Sequence, residues 1–406
     1  MEKFFWADAL ADKIIKKKKK KEYVCASGIS PSGTIHIGNF REIITTDLVV
    51  RALKKRGKKV KFIYSWDDYD RFRKIPKNIH KNYKKYIGMP VSDVPSPFEK
   101  NKSYAEHFEE EFEKSLKKVD IKPKFIRQSM MNKKREYASL IKIAIEKKEE
   151  IKKILNKYRK EALRKDWLPI EIYCEKCKKD TTKITKAKDY FIDYECECGF
   201  QDRIDYRKKG LVKLKWRIDW PARWKYEKVD FEPGGIDHSV YGGSYMTGKE
   251  IVKIFDYKAP LYQLYEWVRI KGGKEFSSSS GNVVTLDDVE EIYEPEILRY
   301  LFVSTRPNKG FQISFDNDVI KIYDDYDTLE RKYYKNKTNP QEKRIYELSR
   351  LKISKKNPKR ISFRHLITLV QIGKAKEKRA KKVMNWLEKY AAEDMKFKFR
   401  KKFQLN

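Results

Sequence analysis

The feature that most constrains the fold is an apolar segment followed by a glycine-rich turn, a helix-like segment and a second apolar segment. "EYVCA" (22–26) precedes the turn at 27–38, apolar residues have helical spacing over 39–56, and "VKFIYSW" occupies 60–66. Strand, turn, helix and strand in this order open a parallel α/β sheet. Ligands bind at the carboxyl ends of such strands, so we expect the site at the turn and at "DDYD" (67–70).

The character of the chain changes along its 406 residues, which predicts a Rossmann-type parallel-sheet domain that is split by an insertion and followed by a mainly α-helical C-terminal region. The predicted regions are the first half of the sheet domain at 1–99, a charged helical insertion with a small cysteine module at 100–210, the second half of the sheet domain at 211–270, a serine-rich region at 271–330 and a short basic helical region at 331–406.

The charge of the chain is strongly positive. Lys and Arg number 95 against 59 Asp and Glu, a formal net charge of +36. A surplus of this size favours a polyanionic partner such as nucleic acid, and a lysine-biased proteome is the alternative explanation. We see no leader and no apolar stretch long enough to span a bilayer, and five cysteines do not form a secreted disulfide framework. These features predict a cytoplasmic protein without a membrane partner.

The glycine turn has the composition of a phosphate site. A helix N-terminus offers unpaired N–H groups and a partial positive charge. Gly28 and Gly33 permit close approach of a ligand, and Gly38 lies on the first helical turn. His36 and Asn39, three residues apart, fall on one side of that turn and both can donate to a phosphate. A plain turn with a partly buried histidine accounts for the stretch about equally well.

A second stretch, "KGGKEFSSSSGNVV" (271–284), combines glycines, lysines and consecutive hydroxyl groups. Serines between glycines do not build a core, and a flexible linker is one explanation. A loop that carries a cation and hydroxyl donors also suits a triphosphate whose charge moves during a reaction, which is the hypothesis we favour.

The cysteines form two close pairs, Cys174-x₂-Cys177 and Cys196-x-Cys198, in a short polar module. Four thiolates at this spacing suit a structural tetrahedral Zn²⁺ site, and the module is too small to fold on apolar burial alone. Reduced thiols are the alternative. Cys25, alone in a predicted strand, is expected in the core.

Together these motifs resemble a known family. "PSGTIHIGN" and "KEFSSSSGN" are similar to the two signatures of class I aminoacyl-tRNA synthetases. The resemblance narrows to class I lysyl-tRNA synthetases of archaeal type through further matches, which are "FREI", "SWDDYDRFRKIP" (65–76), "DWPARW" (219–224), "EPGGIDH" (232–238), "GGSYMTGKEI" and "EPEILRYLF" (294–302). It extends from Trp6 to about Phe397.

The resemblance implies that ATP and Mg²⁺ activate L-lysine as lysyl-adenylate, and that the lysyl group then passes to the 3′ end of tRNA(Lys). By position, it implies catalytic roles for His36, Asn39, Lys274, Ser277, Ser278 and Ser279. It places ATP against Pro31, Gly33, His36, Gly38, Asn39 and Gly281. It places lysine against Gly28, Ser30, Asp67, Trp220, Gly234, His238 and Tyr265. It also implies structural zinc on Cys174, Cys177, Cys196 and Cys198, a region at 271–330 that contacts the tRNA stem, and a monomer.

The sequence departs from the family pattern in two respects. Glu275 stands where the first lysine of the serine loop is usual, and related chains continue past the position of Asn406 through an anticodon-binding helical domain. We therefore expect a synthetase that lacks much of that domain and recognises mainly the acceptor stem. Three alternatives stay open: a catalytic fragment that needs a separate anticodon-binding partner, a tRNA-independent lysine-adenylating enzyme, and an RNA-binding relative.

Overall fold

The computed structural model describes residues 5–77, 79–272, 283–358, 360–371 and 378–390. Its first part alternates helices and strands, with short 3₁₀ helices at Lys81–Tyr86 and Val91–Asp93. In chain order the longer elements are α1 (Trp6–Lys18), β1 (Glu22–Ile29), α2 (Ile37–Lys55), β2 (Lys59–Trp66), α3 (Tyr104–Lys118) and β3 (Lys124–Arg127).

An insertion with its own core follows β3. Its elements are α4 (Gln128–Lys133), α5 (Ala138–Glu146), α6 (Lys148–Asn156), β4 (Ile170–Ile172), β5 (Thr182–Lys188), β6 (Phe191–Cys196), β7 (Gln201–Asp205), β8 (Val212–Leu214) and α7 (Trp216–Glu227). Strands β5, β6 and β7 form an antiparallel sheet, and β4 pairs with β8 at the base of the insertion.

The chain then returns to the first sheet and ends in helices. The elements are β9 (Phe231–Gly235), α8 (Ile236–Ser239), α9 (Ser244–Ile251), a 3₁₀ helix at Val252–Phe255, β10 (Leu261–Tyr265), β11 (Val268–Ile270), α10 (Leu286–Ile292), α11 (Pro295–Ser304), β12 (Phe311–Ile313), α12 (Asp318–Tyr334), α13 (Pro340–Ser349), α14 (Phe363–Gln371) and α15 (Lys378–Lys389). In the part of the chain that the structure describes, no helix is both long and apolar enough to cross a membrane.

The central sheet is parallel and has the doubly wound strand order. Its spatial order is β10-β9-β1-β2-β3, and every neighbouring pair is parallel. Numbered along the chain, these strands lie in the order 5-4-1-2-3, and the order reverses between β1 and β9. A crevice at the carboxyl ends of strands on either side of such a reversal is the usual ligand site. The predicted α/β sheet domain split by an insertion is confirmed.

Both faces of this sheet are buried, as parallel sheets require. Tyr23 and Cys25 of β1 face the larger core, which contains the inner side of α2. Val24 and Ala26 alternate with them and face a smaller core that contains Trp224 of α7. The glycine turn is therefore anchored by a strand and a helix that are both held in packed cores.

The C-terminal helices share the larger core with the sheet. Arg299 of α11 is fully buried, and its guanidinium donates to the Asp47 carboxylate of α2 at 2.7 Å. Arg344 of α13 donates to Asp8 of α1 at 2.8 Å. These buried ion pairs fix the helical region against α1 and against α2, the helix that follows the glycine turn.

Two of the predicted region boundaries differ from the points where the chain leaves and re-enters the central sheet. Strand β3 lies within the predicted insertion at 100–210, yet it pairs with β2 in the central sheet. The first half of the sheet domain therefore continues past residue 99, through α3 and β3. The second half at 211–270 begins with β8, which pairs with β4, and with α7. Neither is a strand of the central sheet, which the chain re-enters at β9.

Candidate active site

A cleft of about 690 Å³ opens at the carboxyl ends of β1 and β2, beside the ends of β9 and β10. It brings together many of the residues that the sequence analysis selected, and those that line it are Gly28, Ser30, His36, Gly38, Asn39, Asp67, His238 and Tyr265. Pro31 and Gly33 lie buried in the turn below and do not line the cleft. Lys274, Ser277, Ser278, Ser279 and Gly281 lie outside the described residues.

The N-terminus of α2 is held firmly at the edge of this cleft. The backbone N–H of His36 donates to Asn39 Oδ1 at 3.2 Å, and Ile37 N–H donates to Val284 O at 2.8 Å. His36 also forms an isolated antiparallel bridge with Thr285. Two distant parts of the chain therefore fix the position at which the helix begins, and Gly38 and Asn39 of its first turn line the cleft.

His36 is a neutral imidazole at pH 7. Burial lowers its pKa to about 4, because the charged form loses solvation. A neutral imidazole still donates one N–H, and the Asn39 side-chain amide donates through Nδ2 while its Oδ1 caps the helix. This pair can therefore hold a phosphate without a permanent positive charge.

A smaller pocket of about 60 Å³ adjoins the cleft, and Gly28, Glu42, Asp67 and His238 line both. Its walls include Trp220 and Gly234, as the resemblance implied. The Trp220 ring stacks on Trp216 with centroids 5.6 Å apart and lies 5.7 Å from the His238 ring. The His238 ring is oriented by Ser244, whose Oγ lies 2.7 Å from Nδ1. The pocket therefore combines a narrow apolar wall with polar groups.

Glycine is required where β1 approaches β2 beside this pocket. A Cβ atom at Gly28 would lie 2.6 Å from the Ser65 backbone oxygen, which is closer than real Cβ atoms come. The Gly28 N–H donates to the Glu42 carboxyl at 2.8 Å. A side chain at Gly234 would collide with the Tyr262 ring in the same way.

The carboxylates that follow β2 are already paired with other groups of the protein. Asp67 pairs with Arg223, with an oxygen 2.5 Å from Nη1, and Arg223 also contacts Asp219 at 3.1 Å. Asp68 accepts hydrogen bonds from the backbone and hydroxyl of Ser129, and Asp70 pairs with Lys213. Asp67 lines the pocket, but much of its charge is already balanced by Arg223.

Glu42 is a site residue that the sequence analysis missed. It lies three residues after Asn39 on α2 and lines the same cleft as His36. Its carboxyl accepts from Gly28 N–H at 2.8 Å and from the Tyr265 hydroxyl at 2.9 Å. Enclosure by protein raises its pKa to about 8, against the effect of these two hydrogen bonds. The i, i+3 spacing from Asn39, which itself lies three residues after His36, was the signal in the sequence that could have identified it.

Glu232, the second residue of β9, is another acidic group that was missed. It accepts from the Trp224 indole N–H at 2.6 Å, and burial raises its pKa to about 7. Glu232 and Asp67 in turn disfavour the charged form of Glu42. Four carboxyl groups, those of Glu42, Asp67, Glu227 and Glu232, line this pocket with the guanidinium of Arg223. Glu227 is paired with Lys61 at 2.8 Å. Because buried charges need partners, the pocket favours a ligand that brings a positive charge.

The four cysteines of the insertion come together as the spacing predicted. Their Sγ atoms all lie within 4.8 Å of one another. The Cys174–Cys198 separation is 3.7 Å and the Cys177–Cys196 separation is 3.5 Å. Tetrahedral ligands with metal–sulfur bonds of about 2.3 Å lie about 3.8 Å apart. The donor set therefore fits one tetrahedral metal ion.

Comparison with known proteins agrees with this geometry. The family model described as tRNA synthetases class I (K) matches residues 4–352. The lysine–tRNA ligase of Borreliella burgdorferi is 47% identical over 428 residues, which cover 98% of this chain and 82% of that protein. The lysine–tRNA ligase of Thermococcus kodakarensis is 43% identical over 431 residues, 97% of this chain and 82% of that protein. The chain therefore belongs to the class I lysyl-tRNA synthetase family.

Proposed function

We propose that the chain is a lysine–tRNA ligase that forms lysyl-adenylate from L-lysine and ATP and transfers the lysyl group to the 3′ end of tRNA(Lys). One structural observation supports the proposal independently of family membership. A helix N-terminus with neutral phosphate donors, His36 and Asn39, and a pocket with an excess of carboxyl groups open into the same cleft. ATP and lysine need these two environments side by side.

In the first step the lysine carboxylate attacks the α-phosphorus of ATP, and the bond to the bridging oxygen of pyrophosphate breaks. No nucleophile from the protein is needed, so catalysis rests on positioning and on stabilising the phosphoryl charge. His36 and Asn39 would donate to the phosphoryl oxygens, with Pro31, Gly33 and Gly38 shaping the turn. Mg²⁺ would arrive with ATP, and we assign Lys274, Ser277, Ser278, Ser279 and Gly281 to the same nucleotide on the basis of the motif.

Lysine would lie with its side-chain methylene groups against Trp220 and its ε-ammonium at Glu42. The indole face suits an alkyl chain and a cation, and the carboxylate with the Tyr265 hydroxyl supplies acceptors. Gly28, Ser30, Gly234 and His238 surround the remainder of the ligand in this arrangement. Asp67 would act through Arg223, which it holds in place, as well as through its own charge.

The pKa of Glu42 predicts how lysine binding depends on pH. A free-enzyme pKa of about 8 means that the carboxyl is mainly protonated at pH 6 and must lose a proton to pair with the ammonium. We expect the KM for lysine to fall by up to about tenfold per pH unit as the pH rises towards 8. Steady-state pyrophosphate exchange at several pH values measures this, with the KM for ATP as the internal control. A lysine KM that is flat between pH 6 and 8 would contradict the assignment.

The cysteine group would hold structural zinc, since four thiolates leave no open position for chemistry. We expect about one zinc per chain, and we expect Cys177→Ser with Cys198→Ser to remove it and to lower the thermal stability. Metal analysis and thermal unfolding measure both, with Glu197→Gln, an exposed residue between two of the cysteines, as the control. Full zinc content in the double variant would rule out this site.

tRNA(Lys) would bind to a monomer in the cytoplasm, guided by the net charge of +36. Charging of tRNA(Lys) transcripts by the purified chain tests the complete function. We expect lysyl-tRNA to form, with similar rates for intact and altered anticodons if the acceptor stem is the main contact. Anticodon-dependent charging only on addition of another protein would indicate a separate anticodon-binding partner. Adenylate formation without any charging would indicate a different acceptor.

A further inference from the structure

We propose that Arg73 and Lys74 bind the β- and γ-phosphates of ATP and then the departing pyrophosphate. The proposal rests on the proposed function and deepens it. The two side chains belong to the segment that follows the carboxyl end of β2, and both line the same cleft as His36 and Asn39. They are exposed to solvent within it.

The positive charge of this segment is largely uncompensated. Arg71 pairs with Asp180 at 3.4 Å, and Asp70 is already bound by Lys213. Arg73 acts on Asp70 and Asp180 at longer range. Among the residues that the structure describes, neither Arg73 nor Lys74 forms an ion pair at contact distance. Two cations are therefore available to a polyanion in the cleft.

Backbone hydrogen bonds at Phe72 fix the segment that carries these cations before a ligand arrives. Phe72 N–H donates to Met89 O at 2.7 Å, and Gly88 N–H donates to Phe72 O at 3.0 Å. The Phe72 ring is buried against Tyr104, with centroids 5.2 Å apart. With the Phe72 ring anchored, its neighbours Arg71, Arg73 and Lys74 all line the cleft.

The chemistry of the reaction creates a need for cations at this position. When the carboxylate oxygen of lysine bonds to the α-phosphorus, the electrons of the broken P–O bond leave on pyrophosphate. Lys274 is the cation of the serine loop, and residues 275–280, Glu-Phe-Ser-Ser-Ser-Ser, add a carboxylate and no further positive charge. Arg73 and Lys74 are placed to do so, and a guanidinium matches phosphate oxygens in bidentate fashion.

The cleft consequently has opposite electrostatic ends. Glu42 and Glu232 make the inner pocket acidic, whereas Arg73 and Lys74 make the wall after β2 basic. An ammonium is drawn to the first and repelled by the second, and a triphosphate experiences the reverse. This polarity would orient the two substrates so that the lysine carboxylate meets the α-phosphate between them.

Calorimetric titration of the full chain with ATP, AMP and pyrophosphate tests the inference. For Arg73→Gln and for Lys74→Gln we expect affinity for ATP and pyrophosphate to fall about 10- to 100-fold, the size of one or two charge-assisted hydrogen bonds. AMP has no β- or γ-phosphate, so its affinity should change by less than about twofold. Lys77→Gln, an exposed neighbour outside the cleft lining, is the matched control.

Unchanged ATP affinity in both variants, or an equal loss for ATP and AMP, would overturn the inference. Arg73→Lys, which retains the charge, should recover part of the ATP affinity. This recovery would show that the loss in Arg73→Gln comes from the missing charge and not from a folding defect. The titrations require neither lysine nor tRNA. A chain that binds ATP as described but shows no lysine-dependent exchange would therefore refute the proposed function while leaving this inference standing.

Discussion

Replacement of Glu42 by glutamine is expected to raise the KM for lysine about 100-fold or more in pyrophosphate exchange. Glutamine keeps the shape and still accepts from Gly28 N–H, so the change removes mainly the charge that pairs with the substrate ammonium. Loss of one partner of an enclosed charge pair costs roughly 2–5 kcal/mol, which corresponds to this factor. The KM for ATP should change little, because Glu42 lies on the acidic side of the cleft.

The control for this variant is Glu149→Gln, which removes an exposed carboxylate from α6 and should leave both KM values unchanged. Glu42→Gln should also abolish the pH dependence of the lysine KM, since the group that titrates is gone. A variant with near-normal lysine KM would mean that the ammonium is bound elsewhere, with Glu232 the first residue to test.

Replacement of His36 by alanine is expected to lower kcat for adenylate formation about 10²- to 10³-fold, the usual cost of one transition-state donor. The imidazole is neutral at pH 7, so its contribution is a directed N–H rather than a charge. The effect should therefore appear in kcat more than in the KM for ATP. Single-turnover adenylate formation with saturating lysine measures it directly.

His365→Ala, an exposed histidine on α14, provides the control and should behave as the parent protein. Because the pKa of His36 lies at about 4, the ratio of the parent rate to the His36→Ala rate should stay constant from pH 6 to pH 8. A ratio that varied across this range would show that the charged form matters, and an unchanged kcat would remove His36 from the mechanism.

Local patterns predicted the first half of the sheet well. Strands β1 and β2 and helix α2 appear where the apolar spacing indicated them, although α2 begins at Ile37 rather than Asn39. Gly57, expected just past the helix end, has a φ of 71°. The positions of these elements depend on residues close together in the sequence, so the periodic pattern of apolar residues is enough to predict them.

Features that depend on distant residues were missed. Strand β3, "KFIR", is four residues long in a highly charged stretch, and only its pairing with β2 makes it a strand. Glu42 becomes part of the site because Tyr265, 223 positions away, reaches its carboxyl. Asp67 was correctly placed at the strand end, but its ion pair with Arg223 spans 156 positions and has no local signal. Tertiary packing thus decides which carboxyl groups are free to receive a ligand.

The most direct test of the account is amino-acid-dependent ATP–pyrophosphate exchange with lysine compared with norleucine, which has the same carbon chain without the ε-ammonium. The account predicts robust exchange with lysine and at least about 100-fold lower kcat/KM with norleucine, because norleucine leaves the enclosed carboxyl groups of the pocket without a cation. Equal exchange with both amino acids, or none with lysine in a folded protein, would contradict it.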